Sequence, residues 1–421
     1  MKKGSVTITA LLLFIFISSF KIQAQWSEQT SPVSTALYSV SVVDDSTAWI
    51  GGDGGVVLRT TNGGTMWTST GGGALGADPV YNIFGMDDMN ALCTTSSSSA
   101  TFIYKTTDGG ATWTQVFTQA GGFLDAIWMW DSVNGFVYGD PVSGNWELYR
   151  TSDGGQTWTA ANALAQNGSE AGWNNAMVVM DSSIYFGTNN STIYYSSDMG
   201  NSWMAQTTPQ VNSYSIWFND SSNGLMGGES ALNVTTNRGM MWDTTSALPG
   251  SGSINSLTGV NNQWWTARQN NMIYTSTDGG NTWTLQYTAP GSGAYYAMAK
   301  ARNDSLIIAV RSDGGISAYE IQTPVEVTTG ESAPLTFNLS QNYPNPFNPA
   351  TNIVFDVPEA GQVNLTIYNV LGEEAAVLVN GEVTAGRHQV TFNASSLPSG
   401  AYFYKLQQNN SVLIKKMLLL K

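Results

Sequence analysis

Three features predict an all-β chain. A tryptophan-bearing turn motif recurs at the length of a four-stranded unit, the composition is rich in glycine and tryptophan but poor in charge, and the texture changes after Thr323. Together they specify a seven-bladed β-propeller closed by its own N-terminal strand, followed by a small Ig-like β-sandwich. With 44 glycines, 15 tryptophans and only 11% charged residues in 421, the chain is suited to tight turns and aromatic packing, and poorly suited to solvated helices.

The elements follow in chain order. Lys2 and Lys3 precede an apolar run from Ala10 to Ile17 and a short polar stretch ending at Ala24, which is the order of a secretory signal peptide. The apolar run is shorter than the roughly 20 residues a spanning helix needs, so residues 1–24 read as a cleaved signal, Gln25 as the mature start, and the mature chain as lacking a membrane span.

Residues 25–322 carry the repeat. The segments RTTNGGTMWTS, KTTDGGATWTQ, RTSDGGQTWTA, SSDMGNSWMA, TTNRGMMWDT and TSTDGGNTWTL place Trp67, Trp113, Trp158, Trp203, Trp242 and Trp283 at separations of 46, 45, 45, 39 and 41 residues. That is the length of one propeller blade. Two alternating strands precede each motif, such as YSVSV and TAWIGG, and a strand flanks it on either side. A seventh unit, AYYAMAK, LIIAV and GISAYEI, lacks a tryptophan-bearing fourth strand, whereas QWSEQT has that tryptophan without a motif before it. Trp26 lies 41 residues before Trp67, so the N-terminal strand is expected to complete the last blade and remove an open edge.

The motif's residues have structural work. Asn62, Asp108, Asp153, Asp198, Asn237 and Asp278 head turns whose N–H groups need acceptors, and the glycines supply positive φ. The tryptophans cover the outer edge of each blade. Two of the six positions hold an amide, which can form the turn but cannot act as an acid, and this argues against a catalytic or metal-binding carboxylate there.

These S/T-x-D-x-G-x-T-W segments at blade spacing resemble the Asp-box propellers, and the short repeat and the YRTSDGGQTWT style are most similar to the photosystem II assembly-factor type. The resemblance implies the propeller fold over about 300 residues. It implies less about function, since Asp-boxes also occur in sialidases, xyloglucanases and sortilin-like receptors. The basic patch expected of the assembly-factor type is absent, because residues 25–330 contain 8 Lys plus Arg against 24 Asp plus Glu.

Residues 323–338 read as a Thr/Pro/Glu/Ser linker, and residues 339–421 as a second domain of alternating strands. Pro344, Pro346 and Pro349 force extended or turn backbone before its first strand. The ordered phrases YPNPFNP, YNVLGEE with Gly372, LPSGAYFYKL with Gly400, and KKMLLLK with Lys415 and Lys416 resemble the type A sorting domain of type IX secretion. That resemblance implies a Gram-negative host of the Bacteroidetes type, passage across the outer membrane to the surface or medium, and two partners for this domain: the translocon and its processing peptidase.

Several function classes are excluded. The net charge of -14 repels phosphate backbones, so nucleic acid is not expected as a partner. The single Cys93 permits no intrachain disulfide, and the single His388 lies outside the propeller, which removes Ser/His catalysis and His-ligated zinc from it. No cofactor or metal is expected.

Because the Asp-boxes join strands three and four, the opposite face should carry any ligand. Aligning the starts of strand one gives Tyr38, Tyr81, Asp125, Asn175, Tyr214, Asn255 and Tyr296 around the channel mouth; the ends of strand two add Asp53, Asp140, Glu229, Arg268 and Arg311. Tyrosines and amides suit a glycan or protein ligand. A glycoside hydrolase, xyloglucanase-like or sialidase-like, would have to draw its acid and base from Asp125, Asp140, Glu147 and Glu229. A sialidase also needs three convergent arginines, yet Arg59, Arg150 and Arg238 sit with the boxes and Arg302 in a strand one to two turn. Regular repeats and sparse catalytic groups favour a binding or scaffold propeller over a hydrolase or an assembly factor.

Overall fold

The structure is a computed structural model that describes residues 26–244, 248–261, 263–321, 336–395, 397–409 and 411–420. The expected signal peptide, Gln25 and most of the expected linker lie outside them. The chain folds as two compact units divided between Gln322 and Thr323.

In the first unit, the described residues form seven four-stranded antiparallel sheets, and six of these are simple meanders of consecutive strands. The first, for example, runs Leu37–Val42, Ala48–Gly52, Val57–Thr60, Thr68–Ser69. The remaining sheet joins Tyr295–Lys300, Leu306–Arg311 and Ile316–Glu320 to Trp26–Gln29, with Trp26 opposite Tyr319 and Gln29 opposite Ile316. The innermost strands of all seven sheets line one channel of about 930 Å³, the architecture of a β-propeller.

Burial follows from this layout. Second strands are covered on both faces by neighbouring sheets, so Ala48–Gly52 and Leu306–Arg311 are buried throughout. Fourth strands are the most exposed, and several are short, as at Thr68–Ser69 and Thr159–Ala160. Large rings fill the wedges between sheets, with Trp49, Phe136, Phe186 and Trp265 fully buried.

The first strand is held by polar bonds as well as by its ladder. Glu28 accepts from Arg311 Nη1 at 3.0 Å and Nη2 at 2.7 Å, from Ser317 Oγ at 2.5 Å and from Tyr287 at 2.9 Å. Gln29 bridges onward to the first sheet, accepting from Trp67 Nε1 at 2.8 Å and donating to Gly63 O at 2.9 Å.

In the second unit a three-stranded sheet (Asn338–Leu339, Ala350–Val357, Gly386–Asn393) accompanies a four-stranded one (Glu374–Val383, Gly361–Tyr368, Gly400–Gln408, Ser411–Leu419). Their shared core includes Phe347, Phe355, Leu365, Tyr404 and Met417. Pro344 and Pro346 both follow cis peptide bonds, and Pro349 O accepts from Ala394 N. Gly372 takes a φ of 81° in the Asn369–Glu373 turn, where a Cβ would be strained. Gly400 opens a strand opposite Leu419, while Lys415 and Lys416 lie on the edge strand opposite Tyr404 and Phe403. His388 is fully buried in this unit, with Nε2 at 2.8 Å from Thr384 O.

Candidate functional site

The Asp-boxes form one face. In each of them a Ser or Thr hydroxyl donates to the carboxylate or amide oxygen two residues on and accepts a glycine N–H. In the Asp153 box, Thr151 Oγ1 donates to Asp153 Oδ1 at 2.8 Å and accepts from Gly155 N at 2.8 Å. Asp153 Oδ1 also accepts from Gln156 N and Thr157 N, both at 3.0 Å, and Oδ2 from Thr157 Oγ1 at 2.6 Å. The same turn recurs at Asp108, Asp198 and Asp278, and with an amide at Asn62 and Asn237. Hydrogen bonds from the facing hydroxyl, Thr112, Thr157, Ser202 or Thr282, lead in holding the four carboxyls down to about 2. Trp67, Trp113, Trp158, Trp242 and Trp283 are buried beside these turns, and Trp203 is half-buried.

The opposite face holds a cup of about 520 Å³ at the channel mouth. Its wall is aromatic: Tyr38, Tyr81, Phe123, Trp173, Tyr214 and Tyr296. A local irregularity builds it. The ladder between strands one and two skips a residue at Tyr38, Tyr81, Asp125, Asn255 and Tyr296, and such a bulge turns the skipped side chain away from its usual alternation. The rings then pack around the mouth, Tyr38 stacked on Tyr81 and tilted against Tyr296, and the other pairs edge to face. Tyr38 lies 5.2 Å from Tyr81 and 5.7 Å from Tyr296, Tyr81 lies 4.7 Å from Phe123, and Trp173 lies 4.6 Å from Tyr214.

One strand departs further. In Gly172–Met180 the register jumps from Gly172 opposite Thr188 to Met177 opposite Phe186, leaving Trp173–Ala176 as a wide bulge with Asn175 at a φ of 63°. Its side chains cross the ring. Asn175 Nδ2 donates to Tyr38 O at 3.0 Å, and Asn174 Nδ2 to Tyr81 O at 3.2 Å, while Asn174 Oδ1 accepts from Asn82 Nδ2 at 2.9 Å. Asn175 borders both the cup and the channel, so this bulge floors the cup.

Six of the seven residues in the expected strand-one column line the cup: Tyr38, Tyr81, Asn175, Tyr214, Asn255 and Tyr296. Asp125 does not. It is 2% exposed, turned between sheets toward Gly172, where a Cβ would stand 2.3 Å from its Oδ2. Burial, with Asp140 adding to it, pushes the Asp125 carboxyl well above the usual range. Asp140 is raised by burial too, and its Oδ1 accepts from Gly172 N at 2.7 Å, which anchors the bulge.

The arginine expectation is corrected. Arg268 and Arg311 are 1% and 3% exposed, and neither lines the cup. Arg268 donates to the carbonyls of Leu248 at 2.7 Å, Pro249 at 3.0 Å and Ser230 at 3.3 Å, and also to Gly252, which ties mouth loops together. Arg311 belongs to the Glu28 closure. The proposed acid and base groups are similarly occupied: Glu229 accepts from Asn212 and Glu147 from Tyr149. Asp53 lies near Tyr38 and Tyr81 and helps keep both phenols protonated, after the larger effect of burial. Phe123, Trp173, Asn174, Ser253 and Gln269 also line the cup and were not expected. An alignment of one residue per blade has no place for a four-residue bulge. The signal was the Trp-Asn-Asn run before MVVM, where other blades have a single polar or tyrosyl residue.

Fold and site together define a β-propeller with a mouth cup, and a C-terminal β unit. Comparison places both parts. Residues 341–420 match the secretion system C-terminal sorting domain, and residues 16–135 match the photosynthesis system II assembly factor YCF48. Among solved structures the chain is similar to YCF48 bound to D1 peptide (TM-score 0.58, 16% identity, 71% of this chain and 98% of that one). It is similar to YCF48 from Cyanidioschyzon merolae (TM-score 0.57, 16% identity, 70% and 99%) and to the WD40 β-propeller domain of Doa1 (TM-score 0.55, 12% identity, 72% and 98%). No curated protein matches the sequence. At these identities the solved structures speak to fold alone, and the sorting domain indicates type IX secretion to the cell surface or beyond. Among the described residues no helix is long and apolar enough to cross a membrane.

Proposed function

We propose that this chain is a non-enzymatic binding or scaffold protein of a Gram-negative bacterium. In this reading residues 1–24 are a signal peptide, residues 25–322 a seven-bladed ring closed by the strand at Trp26, residues 323–338 a linker, and residues 339–421 an Ig-like sandwich that engages the type IX translocon and its processing peptidase. The ligand, glycan or protein, sits in the mouth cup.

One observation carries the binding reading. None of the hydroxyls of Tyr38, Tyr81, Tyr214 and Tyr296 has a hydrogen-bond partner among the described residues, and all four side chains line the one cup. Polar tips left unpaired on a concave aromatic wall are available to a ligand. A protein ligand draws support from the structural similarity to YCF48 in its complex with D1 peptide. A hydrolase draws less, since Asp125, Asp140, Glu147 and Glu229 are absent from the cup lining, and Asp140, Glu147 and Glu229 are engaged elsewhere.

The test pairs the mature chain with a Tyr81→Ala/Tyr296→Ala variant on glycan and peptide arrays. Binding by the parent that the variant loses is the expected result; binding that both share removes the cup from the function. Export is tested separately. A chain lacking residues 339–421 should accumulate folded in the periplasm, and its normal appearance at the surface would refute the sorting role.

A further inference from the structure

Resting on the binding reading above, we infer that the cup takes the end of a neutral glycan and discriminates against anionic sugars and peptide carboxylates. Charge is the first argument. Every residue lining the cup is uncharged, and two carboxylates, Asp53 and Asp78, are close enough to act on Tyr81. Both arginines that could have received a carboxylate are buried in other bonds, Arg268 on loop carbonyls and Arg311 on Glu28. An anion entering the mouth would therefore lose water and meet no cation.

The hydrogen-bond inventory is the second argument. Asn175 and Asn255 each commit one Nδ2 hydrogen, to Tyr38 O and Tyr295 O, and each keeps a second N–H and an Oδ1 with no partner among the described residues. Burial holds the Tyr38 and Tyr81 phenols above their ordinary range, so both remain hydroxyls that donate as well as accept. A wall of acceptor oxygens and two-way hydroxyls matches a ligand made of hydroxyls, since each sugar hydroxyl can donate to an amide oxygen and accept from a phenol.

Ring geometry separates this from a cation cage, in which open aromatic faces are needed. Tyr38 has Tyr81 at 28° on one side and Tyr296 at 32° on the other, so its faces are occupied and its edge and hydroxyl remain. The volume of about 520 Å³ falls within the usual range for small-ligand sites, and Asn174 and Asn175, bonded across to Tyr81 O and Tyr38 O, narrow the way from the cup into the channel. The cup thus suits a terminus or short branch.

The test uses the full mature chain, titrated with malto-, cello-, xylo-, manno- and chito-hexaose, with polygalacturonate and alginate as anionic counterparts, and with a linear-peptide array. Tryptophan fluorescence follows binding, since Trp173 lines the cup. At least one neutral series should bind, with affinity unchanged between about 0.05 and 0.5 M salt because no ion pair forms. Tyr81→Phe and Tyr296→Phe, which remove one oxygen each and spare the packing, should each weaken it about 3- to 10-fold at an unchanged melting temperature. Failure of all five neutral series at millimolar concentration, or tighter binding of the anionic polymers, overturns the inference. Peptide binding that the Phe variants weaken would overturn the glycan class and leave the cup as the binding site; ligand binding that no cup variant alters would bring down both.

Discussion

The ring closure offers the sharpest quantitative test of the fold. Arg311 is 3% exposed as a side chain and Glu28 28%, and the carboxylate of Glu28 receives four hydrogen bonds from Arg311, Ser317 and Tyr287. Glu28→Ala removes all four and leaves a buried guanidinium with Ser317 Oγ at 2.7 Å and the carboxylate of Asp313, 3.2 Å away at a more exposed position. Breaking a buried pair from one side costs about 3–5 kcal/mol, and the residual charge of Asp313 with the partial exposure of Glu28 brings this to about 2–4 kcal/mol. For a unit of this size that is a fall of roughly 4–8 °C in melting temperature. Urea unfolding followed by tryptophan fluorescence measures it, with Glu28→Gln as a comparator that loses the charge but can still accept from Ser317 and Tyr287. A Glu28→Ala loss below about 1 kcal/mol would show that the first strand is held by its ladder and Trp26 alone.

Three further outcomes are expected. The four Asp-box carboxyls titrate near 2 in the fold against an ordinary 3.8, so their stabilisation is complete above the ordinary value and is lost as pH falls through about 2. Melting temperatures followed from pH 5 to 2 should drop, and a variant with all four changed to Asn should drop less; equal slopes would refute the assignment. Asp125 behaves in the opposite sense, because its raised folded value means stability is present at low pH and declines as pH rises through that value. Asp125→Asn should therefore flatten the decline that sets in as pH rises above the ordinary carboxylate value in a pH series of urea midpoints, and an unchanged decline would place its origin elsewhere. Arg268→Met, which strips donors from the carbonyls of Leu248, Pro249 and Ser230, should cost about 2–4 kcal/mol by chemical denaturation, and a neutral outcome would mean that water replaces the guanidinium.

The repeat was legible because its chemistry is local. Thr151, Asp153, Gly155 and Thr157 bond to one another within seven residues, so the turn can be read wherever the motif occurs, and the spacing then yields the sheet. The rim was partly legible, since the strand-one column follows from the same spacing. It went astray where a side chain's direction depends on a neighbour. Asp125 occupies the same bulge position as Tyr81, but Gly172 in the adjacent strand leaves room for the carboxylate to turn inward. Arg268 and Arg311 read as rim cations, and only the folded distances to Leu248 O and Glu28 show them to be internal clamps. The floor was legible only as the local Trp-Asn-Asn run, because the bond from Asn175 to Tyr38 that sets it across the ring spans 137 residues.

The two faces of the ring differ in how their polar groups are spent, and that difference locates the function. On the Asp-box face the hydroxyl of Thr106, the carboxylate of Asp108 and the amide of Thr112 satisfy one another, so a ligand would have to break existing bonds to gain its own. At the mouth the backbone bulges have already turned tyrosines out of the ladder, and their hydroxyls have no partner among the described residues. A bulge sacrifices ladder hydrogen bonds, and repeating it in sheet after sheet is hard to account for by stability alone. Buried Asp140 holding Gly172 N, at the root of the floor, adds a second unfavourable feature at the same end of the ring. Strand-one bulges and unpaired tyrosine hydroxyls therefore collect at the mouth, while the box carboxylates and amides are paired within their own turns, which is the distribution expected if selection acted on the mouth for binding and on the boxes for folding.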